Sequence, residues 1–208
     1  MLEDKRRVKK IERKMKRGNE MQKQKKSRFY SWTALAIGLL LATGLWAQEE
    51  FKGRLFPDAA RGSQRALNII ISIDEYTSKQ EVFQLIQTYH QSGYKQFRSD
   101  LREMKKGILR PVGGTGNQVV FHLAQYTPTG NGGEIILVGE SQSWNLDSRR
   151  RHDNRFPYLV VELSINEKGE GSGNIYLQAD IRLTSQGIVE KASYNQPPRQ
   201  ILGIELVK

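Results

Sequence analysis

Four arginines stand within seven residues, Arg149, Arg150, Arg151 and Arg155, shortly after Trp144. A guanidinium offers forked donors that match a carboxylate or phosphate, and an indole adds a stacking surface. Trp144, Arg149, Arg150, Arg151 and Arg155 are therefore the candidate binding residues, with an anionic ligand or lipid as partner. The plainer reading is a long solvated loop, 141–156, with Trp144 and Phe156 pinning its ends to the core.

Other chemistry is harder to assemble. His90, His122 and His152 are far apart, with no i, i+4 partner and no His-Glu-x-x-His helix, so no metal site is expected. Gly113 to Gly116 lacks the Gly-Lys-Ser/Thr ending of a phosphate loop and precedes a strand, so it reads as a turn. Asp74 and Glu75 are adjacent at a strand end and point to opposite faces. No Gly-x-Ser-x-Gly elbow occurs. The chain has no cysteine, which excludes disulfides, thiolate nucleophiles, thiolate metal ligands and an acylated cysteine. No cofactor is expected. An enzyme built from this chain would need a dispersed site, for example Asp74, His122 and Glu162, converging in one pocket with shifted pKa values.

The formal charge is +11 over 208 residues. Residues 1–28 hold 13 Lys or Arg and four acids, a net of +9, which leaves +2 for the other 180 residues. The basicity thus belongs to an N-terminal arm. Nucleic acid is not the expected partner of the folded part, because such domains carry their bases on a folded face.

After the arm, Phe29 to Ala47 carries no charge. Spanning a bilayer takes about 20 apolar residues. The apolar centre, 34–42, is shorter and suits a signal-peptide core; an uncleaved membrane anchor is the alternative. Met21 offers a second start from which 21–47 reads as an ordinary secretory signal. Either way the basic flank stays inside and the domain lies outside, periplasmic or secreted. Residues 48–66 read as a linker and 67–208 as the extracytoplasmic domain.

Leu67 to Ile73 is a β-branched run and the first expected strand. Ser78 and Glu81 form a capping-box pair, after which Val82, Leu85, Ile86 and Tyr89 share a helix face up to Gly93. A second helix places Tyr94, Phe97, Leu101 and Met104 on one face and ends at Gly107. Every later segment reads as strand: 108–112, 118–126, 134–140, 158–166, 174–184, 188–194 and 201–207. In 118–126, Val119, Phe121 and Leu123 share a face. In 174–184, Ile175, Leu177, Ala179, Ile181 and Leu183 do so, and only Tyr176 breaks the polar face. The order predicts an α+β fold. A curved antiparallel sheet of about seven to eight strands packs on a helix pair, preceded by one N-terminal hydrophobic helix. That order is similar to the helix-grip folds of START-like and pathogenesis-related proteins, although this chain ends in a strand.

Phe156-Pro157-Tyr158-x-Val160-Val161-Glu162-Leu163, followed by Lys168-Gly169-Glu170-Gly171-Ser172-Gly173, resembles an uncharacterised family of exported bacterial proteins. An early strand, a helix pair and a loop Trp at 144 are similar too. The resemblance covers about residues 66–208 and implies export but no activity. The leading expectation is a non-enzymatic binding or envelope-accessory domain, with an apolar cleft between helices and sheet. The alternatives are the dispersed enzyme and an inner-membrane protein whose basic arm contacts anionic lipid or nucleic acid.

Overall fold

The computed structural model describes residues 48–56, 66–113, 118–143 and 153–207. All of them belong to the second of two compact units, Trp46–Lys208. Nine strands and one long helical element follow in order: β1 Glu49–Leu55, β2 Leu67–Ile73, α1 Lys79–Glu103, β3 Gly107–Pro111, β4 Val119–Thr129, β5 Gly132–Glu140, β6 Tyr158–Asn166, β7 Gly171–Leu183, β8 Val189–Tyr194 and β9 Arg199–Leu206.

The strands pair antiparallel in the order β6-β5-β4-β3-β2-β1-β9-β7, and β7 pairs back onto β6. That closes an eight-stranded barrel, with β8 attached to β7 outside the ring. Each barrel strand sends side chains into one cluster. It includes Phe51, Ile71, Leu109, Phe121, Leu137, Leu163, Ile175 and Ile201, none more than 2% exposed. The interior is a packed core rather than a pore, as eight-stranded barrels allow.

This corrects the α+β expectation. The sheet is closed, the domain is mostly sheet, and it does not pack as an open layer on a helix pair. The strand that closes it is β1, which lies in the segment read as linker and runs between β2 and β9. Phe51, Gly53 and Leu55 alternate inward while Lys52 and Arg54 do not, so β1 follows the strand period around a glycine. The transmembrane helix is corrected as well: among the described residues no helix is long and apolar enough to cross a membrane. Phe29–Ala47 lies outside those residues, and no described element speaks for the signal-peptide, membrane, periplasmic or secreted readings that rest on it.

The outer face of β4 to β7 carries a second apolar cluster, in which Val82, Leu85, Phe97 and Leu101 of α1 meet Leu123, Val138, Tyr158, Val160, Tyr176, Ala179 and Val189. Two bulges build it. Phe121 and Leu123 on β4 stand opposite the adjacent Gly139 and Val138 on β5. One extra residue turns Leu123 outward to α1 while Ala124 returns to the barrel. On β7, Tyr176 and Ala179 oppose Val160 and Tyr158 of β6, again one residue too many. Ile175 and Leu177 therefore face the barrel, whereas Tyr176, Ala179, Ile181 and Leu183 face the helix side. Tyr176, which broke the polar pattern, is a buried outer-face residue.

Local hydrogen bonds hold α1 and the β7–β8 hairpin over this face. Ser78 Oγ accepts from the Glu81 N–H at 3.2 Å and Glu81 Oε2 accepts from the Ser78 N–H at 2.7 Å. β4 runs past the end of β3, and its exposed edge is met by Thr77, whose N–H donates to Ala124 O at 2.6 Å and whose Oγ1 accepts from Ala124 N at 3.0 Å. The hairpin tip reaches the same strand. Gln125 Nε2 donates to Gly187 O at 2.7 Å, and Gln125 Oε1 accepts from Val189 N at 2.8 Å.

Candidate functional site

Between α1 and the β7–β8 hairpin a cleft of about 470 Å³ stays open. α1, which makes one side of it, is not straight. At Gly93 the backbone takes φ 79° and ψ 178°, a conformation that side-chain-bearing residues avoid. The break divides the helix and swings Tyr94 away from the packed face. The helical spacing puts Tyr94 on one face with the buried Phe97, yet Tyr94 is 46% exposed.

Helix residues Ile86, Tyr89, His90, Tyr94 and Phe97 make one wall. Asp180, Ile181, Arg182 and Leu183 of β7, with Ala192 of β8, make the other, and Tyr158 of β6 lies beneath them. Tyr89 meets Phe97 edge-on at 5.9 Å, and Tyr94 lies 6.0 Å from the same ring. Aromatic pairs at such spacing hold one another in place. The Tyr94 and Tyr158 hydroxyls stand 3.4 Å apart. Burial first, and then the Tyr94 hydroxyl, push the Tyr158 phenol well above its usual range, so it stays neutral.

Charges around the cleft are mostly satisfied. Glu140 accepts from Arg98 at 3.1 Å and Arg102 at 2.6 Å. Burial alone would raise its carboxyl, but the two guanidiniums outweigh that and hold it below the usual carboxylate value. Arg182 pairs with Glu190 at 2.5 Å. Asp180 Oδ1 accepts only from its neighbour's N–H, Ile181, at 2.9 Å; among the described residues no cation pairs with this carboxylate.

Trp144, Arg149, Arg150 and Arg151 lie outside the described residues. Arg155 is exposed and already holds a carboxylate of its own chain: Nη2 to Asp153 Oδ2 is 2.8 Å, and the guanidinium sits 5.8 Å from the Phe156 ring centre. The dispersed set does not converge on the cleft. Asp74 accepts from Gln48 at 2.8 Å, His122 Nδ1 lies 2.8 Å from Met104 O, and Glu162 pairs with Lys191 at 2.9 Å. Asp180 and Ala192 carry no chemical signal in the sequence, and Tyr158 enters only within the 156–163 motif; around Asp180 the alternating run 174–184 hides a bulge.

Comparison with family models, with curated proteins and with solved structures finds no match to this chain.

Proposed function

We propose that the domain is a non-enzymatic binding module which takes a small, largely apolar molecule between α1 and the β7–β8 hairpin. The observation that carries this is the cleft: about 470 Å³, walled by Tyr89, Tyr94 and Phe97 and by Ile181 and Leu183, with His90, Asp180, Arg182 and the tyrosine hydroxyls as its polar groups. Ligand sites are commonly concave, roughly 300–1,000 Å³ and apolar with a few placed polar groups. The packed barrel supplies a rigid floor, and the break at Gly93 keeps the wall from closing on it.

The test uses the full-length chain and N-phenyl-1-naphthylamine, a neutral dye that brightens in apolar surroundings. Saturable brightening is expected, and Ala192→Trp, which places an indole at the cleft mouth on an exposed position, is expected to abolish it. No brightening in the wild type, or brightening unchanged by Ala192→Trp, overturns the proposal.

The same proposal places the module outside the cytoplasm, supported by the basic run before Phe29–Ala47 and the near-neutral remainder. Protease added to spheroplasts is expected to cut the domain. Full protection until lysis contradicts that address.

A further inference from the structure

We infer that the molecule taken by the cleft is a cation, an apolar body carrying an amine or quaternary ammonium group that sits on the tyrosine rings beside Asp180. The inference rests on the cleft being a binding site and names its ligand class.

Most partly buried carboxylates of this outer layer are answered by cations, and Asp100, which has none among the described residues, takes side-chain hydrogen bonds from Thr88 at 3.1 Å and Gln96 at 2.6 Å. Glu140 has Arg98 and Arg102, Glu162 has Lys191, and Glu81 has Lys106. Asp180 lines the cleft, is half-buried, and has no cation among the described residues. A carboxylate partly withdrawn from water without a counter-charge is costly. Its second oxygen is open to an incoming donor. The guanidinium that also lines the cleft, Arg182, is neutralised by Glu190 at 2.5 Å. Arg98 and Arg102 do not line it.

The rings fit the same ligand. The face of a tyrosine carries negative potential and attracts a cation within about 6 Å. Tyr89, Tyr94 and Tyr158 all border the space next to Asp180. Among the described residues the protein already uses this arrangement at Lys191. Lys191 Nζ lies 3.5 Å from the centre of the Tyr176 ring and 5.5 Å from that of Tyr194, with Glu162 at 2.9 Å. Two tyrosines and one carboxylate there hold an ammonium. Three tyrosines and one carboxylate in the cleft have none.

The experiment is calorimetric titration of the full-length chain at about pH 8 with three ligands of one shape. They are 3-phenylpropyltrimethylammonium, neutral 3-phenylpropanol and anionic 3-phenylpropionate. The ammonium is expected to bind on the order of tenfold more tightly than the alcohol, with the anion weakest. Asp180→Asn, which keeps the acceptor for the Ile181 N–H, is expected to remove that preference, so that the ammonium and the alcohol bind alike. Equal affinities across the wild-type series, or an Asp180→Asn variant that retains the full preference, overturns the inference. If the alcohol and the dye bind but charge makes no difference, only the ligand class falls. If neither binds, the cleft reading fails and this inference with it.

Discussion

The Tyr94 hydroxyl lies 3.4 Å from that of Tyr158, joining the first residue after the helix break to the barrel wall beneath it. The contact links the second half of α1 to β6, and both residues line the cleft. Tyr94 contributes its ring to the cleft wall and is largely exposed, so Tyr94→Ala is expected to leave the melting temperature nearly unchanged. The same change is expected to weaken the neutral dye roughly three- to tenfold, the worth of one aromatic contact. Fluorescence titration of both proteins reads this.

Gly93→Ala should act through the backbone. At φ 79° and ψ 178° a Cβ is strained, although nothing lies within 4 Å of where it would stand. The expected loss is about 1–3 kcal/mol in urea unfolding, with dye binding weakened as the helix shifts to relieve the strain. An unchanged midpoint would mean that the break does not depend on glycine.

Phe51 tests the closed barrel. A linker residue replaced by alanine costs little. Phe51 is 1% exposed in the core cluster, so Phe51→Ala is expected to cost about 3–5 kcal/mol, measured by the shift in urea midpoint at constant slope.

Acid should loosen the outer layer first. Burial would raise the Glu81 carboxyl. Hydrogen bonds from Lys106 at 2.7 Å and from Ser78 outweigh it and hold the group below its ordinary 4.5. Glu140 is lowered likewise by Arg102 and Arg98. For a carboxylate whose folded pKa is depressed, the stabilisation is complete above the unfolded value and is lost as pH falls through the folded one. The melting temperature is therefore expected to fall as pH drops below about 4.5. Glu81→Gln with Glu140→Gln should start lower at pH 7 and show a shallower fall, read by thermal melts from pH 7 to 3.

Much of the local order was legible. β2 and β6 carry the bounds that their apolar patterns predict, and Ser78 and Glu81 cap the helix as their spacing requires. Closure was not legible, because pairing β1 with β9 joins segments about 150 residues apart. Nothing local in Glu49–Leu55 names its partner. The two bulges were hidden for a related reason. An alternating run such as 174–184 reads as one face, and only the partner strand shows where an extra residue turns the pattern over. The cleft followed the same fate. Tyr94 and Phe97 were recognised as one helix face, but the break that separates a buried Phe97 from an exposed Tyr94 is a backbone angle. Asp180 was an ordinary polar-face residue until the hairpin placed it against tyrosines.

The most direct test of the binding cleft is a methyl-labelled NMR titration of the full-length chain with 3-phenylpropyltrimethylammonium. Shifts confined to the methyls of Ile86, Ile181 and Leu183 are predicted, with the barrel-interior methyls of Ile71, Leu137 and Ile201 unmoved. Shifts centred on the interior set, or none at saturating ligand, would contradict it.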